Sequence, residues 1–280
     1  MKILNRYLFV LLLTLVLAFT ARAQVAKTVI VEHFTNSKCS ICANKNPGFY
    51  NNLNGQPDIL HLAIHPSSPY SDCIFNQHNP VENDARTYFY NVYGSTPRLV
   101  IQGSVIPSTT SYSDPALWTP FLGAMSPVSI QVEQSKQSNL IQGRVTLQVE
   151  EAQTLGDLRL FVALAEDTVF YNAPNGEDLH FDVFRKALSE VGGDDITLPQ
   201  NVGETATFEF EIIPDPMWDL DRMFMVVILQ GATDKTVIQA AASTPDQNDV
   251  ILGTTSVPQL ENVQISPNSV QQELSISMPG

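Results

Sequence analysis

Basic residues are scarce in this chain. Its 280 residues include 15 lysines and arginines against 29 aspartates and glutamates, so the formal net charge is −14. Nucleic acids and anionic membrane surfaces attract proteins that carry basic patches. The composition therefore argues against both as partners, and we expect no binding of nucleic acid.

Long apolar runs are also lacking. The longest covers residues 7–19, whereas a membrane-spanning helix takes about 20 apolar residues. Basic residues precede this run and the tripeptide Ala-Arg-Ala follows it, which is typical of a secretory signal peptide and its cleavage site. We predict a signal peptide over residues 1–23 and an exported chain with no transmembrane span. Loss of the three basic residues in that segment takes the charge from −14 to −17. No cysteine follows the cleavage site, so no acylated-cysteine anchor is expected.

Cysteine is the third scarce residue, with Cys39, Cys42 and Cys73 alone present. Three cysteines are too few for a disulfide-stapled scaffold, so apolar cores must hold a mature chain of about 255 residues, a length that favours two domains. Export places these cysteines where disulfides form and persist. Cys73 has no obvious partner; it either exchanges with the other two or is a buried apolar thiol.

The first region after the signal peptide, residues 24–125, alternates strand-like and helix-like segments. This alternation predicts an α/β domain. The predicted strands cover residues 28–34, 59–65 and 98–103, and the predicted helices run from the cysteine pair to about residue 54 and over residues 81–93.

The second region, residues 126–243, has short runs of period-two alternation separated by polar turn clusters. That pattern predicts an antiparallel β-sandwich. Residues 181–191 fit either a short helix or an irregular strand. Residues 244–280 are polar and loop-like and are predicted to be a linker with a last strand-like fragment.

The cysteine pair Cys39-Ser40-Ile41-Cys42 follows a buried-type strand and opens a helix. The first N–H groups of a helix and its dipole favour negative charge, so the first cysteine can ionise near neutral pH, and the thiolate is the nucleophile of disulfide exchange. The spacing lets the second cysteine resolve a mixed disulfide. The alternatives are a structural disulfide and half of a zinc site.

The zinc hypothesis needs two further ligands. No second Cys-x-x-Cys and no closely spaced histidine pair is present. His33, His61 and His65 lie on or beside predicted strands, so a mixed site with two cysteines and two histidines is conceivable, although such histidines usually pack in the core or face solvent. We predict no metal and no cofactor.

Two prolines add to the pattern around the cysteine pair. Pro47 lies eight positions after Cys39, inside the predicted helix, and Thr96-Pro97 comes directly before the third strand. Over residues 28–123 the sequence thus resembles the thioredoxin family. The resemblance implies that Cys39 attacks, that Cys42 resolves and that the two form a disulfide when oxidised. It also implies a cis Thr96-Pro97 bond beside the pair, where the backbone pairs with a substrate chain, so that protein thiols and disulfides are the expected partners.

The sequence departs from the thioredoxin pattern at several positions. Lys38 stands where the family usually has tryptophan, and it either lowers the pKa of Cys39 by its charge or is merely solvated. Ser40-Ile41 matches neither reducing nor strongly oxidising members, so the direction of reaction stays open. Many members bury an acidic residue under the disulfide as a proton relay. Glu32 lies one residue out of register with it and is either the relay or a solvent-facing side chain.

A second resemblance covers the whole mature chain. Residues 176–198 and 223–243 are similar to those of exported Bacteroidetes proteins related to the twenty-eight-kilodalton outer membrane protein. These fuse a thioredoxin-like domain to an immunoglobulin-like β-sandwich. Residues 263–277 resemble the start of the C-terminal sorting domain of type IX secretion cargo.

Together these patterns predict an exported protein of the periplasm, outer membrane or cell surface. Our main hypothesis is a thiol–disulfide oxidoreductase whose sandwich supplies attachment or contact with an envelope partner. The alternative is a surface interaction protein in which a thioredoxin-like scaffold is non-catalytic and Cys39 and Cys42 form a static disulfide.

Overall fold

The computed structural model describes residues 24–137, 139–152 and 154–251, together with the backbone of residues 265–267 and 274–276. The predicted signal peptide over residues 1–23 and most of the predicted C-terminal segment lie outside the described residues. Within the described part, no helix is long and apolar enough to cross a membrane.

The described chain is mostly β-sheet with few helices. The helices are α1 (Ser40–Asn54), α2 (Ile74–His78) and α3 (Pro80–Phe89), with short 3₁₀ turns at Pro115–Leu117 and Leu220–Arg222. The strands are β1 (Val25–Ala26), β2 (Val29–Phe34), β3 (Ile59–Ile64), β4 (Arg98–Ile101), β5 (Ser104–Val105), β6 (Met125–Ser126), β7 (Val128–Gln137), β8 (Leu140–Val149), β9 (Leu158–Phe170), β10 (Leu179–Ala187), β11 (Asp194–Ile196), β12 (Thr205–Ile212), β13 (Met223–Gly231), β14 (Val237–Ala242), β15 (Ile265–Pro267) and β16 (Leu274–Ile276).

The predicted strands of the first region correspond to β2, β3 and β4. All six residues of β2 are buried, the polar Glu32 and His33 included, as expected for an inner strand of a sheet that is covered on both faces. The segment over residues 181–191, undecided from sequence, contains strand β10. The helix predicted over residues 81–93 ends earlier, because α3 stops at Phe89.

The main sheet joins both halves of the chain. Among the described residues it has nine strands in the order β14-β13-β9-β10-β3-β2-β4-β5, with β11 beside β9. The junction is a parallel pairing of β10 with β3, in which Val183 lies opposite Ala63. The sheet thus crosses the predicted boundary at residue 125, and the predicted arrangement of a thioredoxin-like domain followed by a separate immunoglobulin-like sandwich is not confirmed. The physical reason is that β3 would otherwise be an unpaired edge, and β10 supplies its missing hydrogen bonds.

A smaller sheet packs against one end of the main sheet. It consists of β12, β8 and β7 in that order, and β8 alternates buried and half-buried side chains along its length. The buried positions of β7 and β8 share an apolar core with β9 and β13, which includes Val145, Leu164 and Met225. Two sheets therefore pack face to face in this part of the molecule, since strand side chains alternate between the two faces.

Candidate functional site

A short loop between β2 and α1 carries the cysteine pair. Asn36 fixes this loop through its side chain: the amide nitrogen donates to the carbonyl oxygens of Pro66 (3.0 Å) and Tyr70 (3.1 Å), and the amide oxygen accepts from the Lys38 N–H (2.9 Å). The Cys39 N–H donates to the Asn36 carbonyl at 3.0 Å. Cys39 is thereby held as the N-cap residue of α1.

The Cys39 sulfur occupies the acceptor position of an N-cap side chain. It accepts a hydrogen bond from the Cys42 N–H at 3.1 Å and lies 3.5 Å from the Thr96 carbonyl oxygen. Hydrogen bonds lower the pKa of Cys39 to about 6 and outweigh the opposite effect of burial. The largest contribution comes from the Cys42 thiol, and smaller ones come from Thr96 and from backbone N–H groups. Hydrogen bonds to the charged form favour ionisation, so this thiol is a thiolate at neutral pH.

Lys38 lies in the loop directly before Cys39 and forms an ion pair at the surface. Its ammonium group pairs with the exposed carboxylate of Asp72, and the lowered pKa of Cys39 arises from hydrogen bonds instead. The reason is geometric: Lys38 precedes the N-cap, where its side chain reaches the loop before α2.

Cys42 differs sharply from Cys39. Its side chain is fully buried, and burial, followed by the contact with Cys39, raises the pKa of its thiol. All three cysteines are free thiols in the structure, so the disulfide predicted for Cys39 and Cys42 is not formed there. The pair combines a thiolate with a protonated, buried thiol.

The two prolines lie where the sequence predicted. Pro47 is inside α1, and the Thr96-Pro97 peptide bond is cis, which confirms that prediction. The Thr96 carbonyl faces the Cys39 sulfur, and the Pro97 carbonyl accepts from the Tyr112 hydroxyl at 3.3 Å. The structure therefore brings Cys39, Cys42 and Thr96 together.

The Glu32 side chain is buried, and its carboxylate bonds Arg86. Its carboxylate is buried and accepts from Nε of Arg86 at 2.6 Å and from Nη2 at 3.1 Å. The Arg86 guanidinium also stacks on the Phe161 ring, 3.8 Å from its centroid. The solvent-facing alternative is thus wrong, because β2 is an inner strand and the Glu32 carboxylate pairs with Arg86 on α3; its role as a proton relay stays a prediction.

The loop between β9 and β10 forms part of the site, which sequence analysis missed. The Asn175 amide nitrogen donates to the carbonyl oxygens of Cys39 (3.2 Å) and Asn36 (3.3 Å), and the Asn175 N–H donates to the Ser37 carbonyl at 3.3 Å. The Glu177 carboxylate accepts from Asn46 Nδ2 at 2.7 Å. In the sequence this segment has only the polar composition of a turn, so nothing in it pointed to the cysteines.

The histidines near the site pair with one another and with an acid. His61 lies between Asp182, at 2.8 Å from its Nδ1, and His33, at 3.4 Å from its Nε2. Burial, followed by the charges of neighbouring histidines, holds the pKa of His33 well below its ordinary value, and burial raises the pKa of Asp182. In the described part of the chain, no group of three or more His, Cys, Asp or Glu side chains could hold a metal ion, so the conceivable Cys₂His₂ site is not assembled.

Cys73 lies at the start of α2 and is fully buried. Its sulfur is 3.2 Å from the Ser37 hydroxyl, on the loop that leads to Cys39. In this structure it is a packed, hydrogen-bonded thiol.

Comparisons with known proteins bear on the family and the fold. The model of the family described as "Outer membrane protein Omp28" matches residues 84–249, which is more than half of the chain and begins after the cysteine pair. The structure of HBP35 of Porphyromonas gingivalis is similar with a TM-score of 0.68 and 14% identity, over 91% of this chain and 86% of that one. A domain of the outer membrane lipoprotein Omp28 from Porphyromonas gingivalis aligns with a TM-score of 0.34 and 15% identity, over 44% of this chain and 92% of that one. No curated protein matches the sequence. The fold is therefore that of HBP35, and the relation to the twenty-eight-kilodalton outer membrane proteins is confirmed.

Proposed function

The chain belongs to the Omp28 family of outer membrane proteins and is thus an exported envelope or surface protein; from that premise we propose that its Cys39–Cys42 pair exchanges disulfides with exported proteins. One observation carries the proposal: Cys39 is the N-cap of α1, where its sulfur accepts from the Cys42 N–H at 3.1 Å, beside the fully buried Cys42 side chain. Hydrogen bonds lower the pKa of Cys39 to about 6, while burial raises that of Cys42.

This asymmetry suits a two-step exchange. The thiolate is the nucleophile that attacks a disulfide, and a thiol with a raised pKa stays protonated until the mixed disulfide has formed. A static structural cysteine needs no such difference between the two partners. The exposed Ser40 and Ile41, which lie between them, leave the start of α1 open to an approaching chain.

We further propose that residues 24–125 act as a thioredoxin-like unit. The parallel pairing of β2 with β3, the antiparallel pairing of β2 with β4 and the cis Thr96-Pro97 bond support this proposal. In it, Thr96 and Pro97 shape the surface for a substrate chain, and protein thiols and disulfides are the partners. Residues 126–243 supply contact with an envelope partner.

The second candidate is a surface interaction protein with a non-catalytic scaffold. The family match favours it, because residues 84–249 exclude both Cys39 and Cys42. Family membership therefore supports the envelope location but gives no information on the function of Cys39 and Cys42. In this candidate the two cysteines form a disulfide that persists in the mature protein.

Disulfide exchange with a model protein substrate distinguishes the candidates. If the protein is an oxidoreductase, the wild type should turn over the substrate. The Cys39→Ser variant should lose this activity, the Cys42→Ser variant should keep little of it, and the Cys73→Ser variant should keep it. The reduction potential, read from equilibria with glutathione buffers, adds a second criterion, since structural disulfides of secreted proteins have potentials below about −300 mV. A reduction potential in that range, together with no turnover, would support the second candidate, in which the thioredoxin-like scaffold is non-catalytic.

A further inference from the structure

The hydrogen bond to the Cys39 sulfur depends on the backbone conformation of Cys39. In the proposed exchange this sulfur forms a bond to one sulfur of a substrate disulfide, and the other substrate sulfur leaves as a thiolate. The sulfur accepts from the Cys42 N–H at 3.1 Å because Cys39 is the N-cap of α1, with φ −82° and ψ 110°. Extended backbone at the N-cap is what lets its side chain accept from the first turn of a helix. The reactivity of Cys39 therefore depends on how firmly this conformation is held.

Contacts on both sides of the Cys39 Cα fix the two backbone dihedrals. The Cys39 N–H donates to the Asn36 carbonyl at 3.0 Å, which restricts φ. The Cys39 carbonyl accepts from the Ala43 N–H at 3.2 Å, the first bond of the helix, and from the Asn175 side chain at 3.2 Å. Rotation about ψ moves the helix, and with it the Cys42 N–H, relative to the Cys39 sulfur. Helix and loop thus restrict ψ together.

Three carbonyl oxygens of the turn before α1 meet at Asn175. Its amide nitrogen donates to Asn36 (3.3 Å) and Cys39 (3.2 Å), and its backbone N–H donates to Ser37 (3.3 Å). Carbonyl oxygens carry partial negative charge, so oxygens brought together in this way repel one another unless a donor lies among them. Asn36, Ser37 and Cys39 are buried, so water has little access to take over these bonds.

Glu177 orients the Asn175 amide toward those oxygens. The Asn175 side-chain oxygen accepts from the Glu177 N–H at 3.1 Å, and the amide nitrogen donates to the Glu177 carboxylate at 2.5 Å. A carboxylate only accepts hydrogen bonds, so the nitrogen, and not the oxygen, must face it. The other carboxylate oxygen accepts from Asn46 on α1 at 2.7 Å. The loop is therefore tied to the helix as well as to the turn.

We propose that Asn175 is a positioning residue for the attacking thiol: by binding the carbonyl oxygens of Asn36 and Cys39, it holds the N-cap in the conformation that places the Cys39 sulfur against the Cys42 N–H. The inference rests on the proposed function. It adds that a loop from the second half of the chain sets the reactivity of a thiol in the first half.

The charged groups around the turn have partners of their own. Lys38 pairs with Asp72 at the surface, and the Glu177 carboxylate accepts from two side-chain amides. The Cys42 thiol stays protonated, because burial raises its pKa. All four groups remain when Asn175 alone is replaced, so a change in the pH profile of Cys39 reports on the turn.

The test measures the rate at which iodoacetamide alkylates Cys39, as a function of pH, in the reduced full-length protein. Mass spectrometry assigns the adduct. Asn175→Ala and Asn175→Leu both remove the amide donor and keep the backbone N–H, and leucine also keeps a side chain of similar size. The matched control is Asn172→Ala, which shortens an exposed asparagine of the same loop. Cys73 is fully buried, so its alkylation in the same sample reports unfolding.

We expect the wild-type rate to reach half its maximum near pH 6 and both Asn175 variants to do so about one pH unit higher. At about pH 5 such a shift slows alkylation about tenfold, because the thiolate fraction falls by that factor. Asn172→Ala should follow the wild type at every pH. The loss of two side-chain hydrogen bonds is small against the stability of a domain, so Cys73 should stay protected in both variants.

A midpoint within about 0.3 pH unit of the wild type in the folded Asn175 variants would overturn the inference, even if they melt at a lower temperature. A merely structural role lowers stability and leaves the pH profile unchanged. An equal shift in Asn172→Ala would overturn it too, and Asn175→Leu decides should the alanine variant expose Cys73. Alkylation needs only a reactive thiol, so a wild type that turns over no protein substrate would refute the proposed function and leave this test readable.

Discussion

Asn175 donates a side-chain hydrogen bond to the backbone carbonyl of Cys39 at 3.2 Å, across 136 positions of sequence. The contact ties the loop between β9 and β10 to the N-cap of the helix that carries the cysteine pair. A loop from the second half of the chain therefore stabilises the conformation of the first.

Replacing Asn175 by alanine should destabilise the protein without altering its fold. The variant removes the hydrogen bonds from Asn175 to the carbonyl oxygens of Asn36 and Cys39, each of which contributes about 0.5–1.5 kcal/mol. For a chain of this size the melting temperature should fall by about 2–4 °C for each kcal/mol. Thermal unfolding followed by circular dichroism measures the change. Asn172→Ala is the control, because Asn172 is exposed on the same loop; equal shifts in the two variants would contradict the prediction.

The reactivity of Cys39 should follow a pKa of about 6. Its rate of alkylation should rise with pH to half its maximum near that value, whereas an ordinary cysteine titrates at about 8.5. Cys42→Ser replaces the strongest source of the shift, the hydrogen bond from the Cys42 thiol, and should move the midpoint. Mass spectrometry of trapped adducts assigns the reaction to Cys39. A wild-type midpoint above about pH 8 would show an unactivated thiol.

Breaking the ion pair of Glu32 and Arg86 should be strongly destabilising. Both side chains are buried, so Glu32→Gln leaves an uncompensated guanidinium in the core, at a cost of about 3–5 kcal/mol. Urea unfolding gives the free energy of unfolding of each variant. The double variant Glu32→Gln/Arg86→Met removes both charges and should recover much of the loss; a single variant as stable as the wild type would mean that the pair is solvated.

The protein should lose stability as the pH falls below about 6.5, the ordinary pKa of histidine. Burial holds the pKa values of His33 and His65 well below that value. Below about pH 6.5 these histidines therefore bind protons in the unfolded chain but stay neutral in the folded one. The stability is present above the unfolded pKa and is lost as pH falls from it toward the lower folded values. The raised pKa values of Asp182 and Glu177 act in the opposite sense. Melting temperatures at about pH 7.5 and about pH 5.5 test this, and His33→Asn should reduce the difference between them.

Gly103 should tolerate no side chain. It has φ +82°, and a Cβ there would lie 1.9 Å from the Lys235 carbonyl oxygen, on the loop between β13 and β14. Gly203 has φ +83° and open space around it, so Gly203→Ala measures conformational strain alone, about 1 kcal/mol. Gly103→Ala adds a backbone clash and should be the more destabilising of the two in urea unfolding. Similar losses of the free energy of unfolding in both variants would show that the loop carrying Lys235 moves away from the added methyl group.

Local sequence patterns predicted the elements around the cysteine pair well. The β-branched run that became β2 and the helix opened by Cys39 depend on neighbouring residues, so they are visible in a short window. The cis bond before Pro97 was expected from the resemblance to the thioredoxin family instead. The helix predicted over residues 81–93 is too long, because in the structure it ends at Phe89. That end depends on packing and on the turn that follows, which apolar periodicity alone does not predict.

The sequence by itself determined the export, the acidic charge, the spacing of Cys39 and Cys42 and most of the strands. Tertiary structure alone decided that Val183 pairs with Ala63, that Arg86 neutralises Glu32 and that Glu177 reaches Asn46. The physical reason is that spacing and periodicity report interactions within a few residues, whereas strand pairing and buried polar contacts join distant segments through a free energy that depends on the whole packed core.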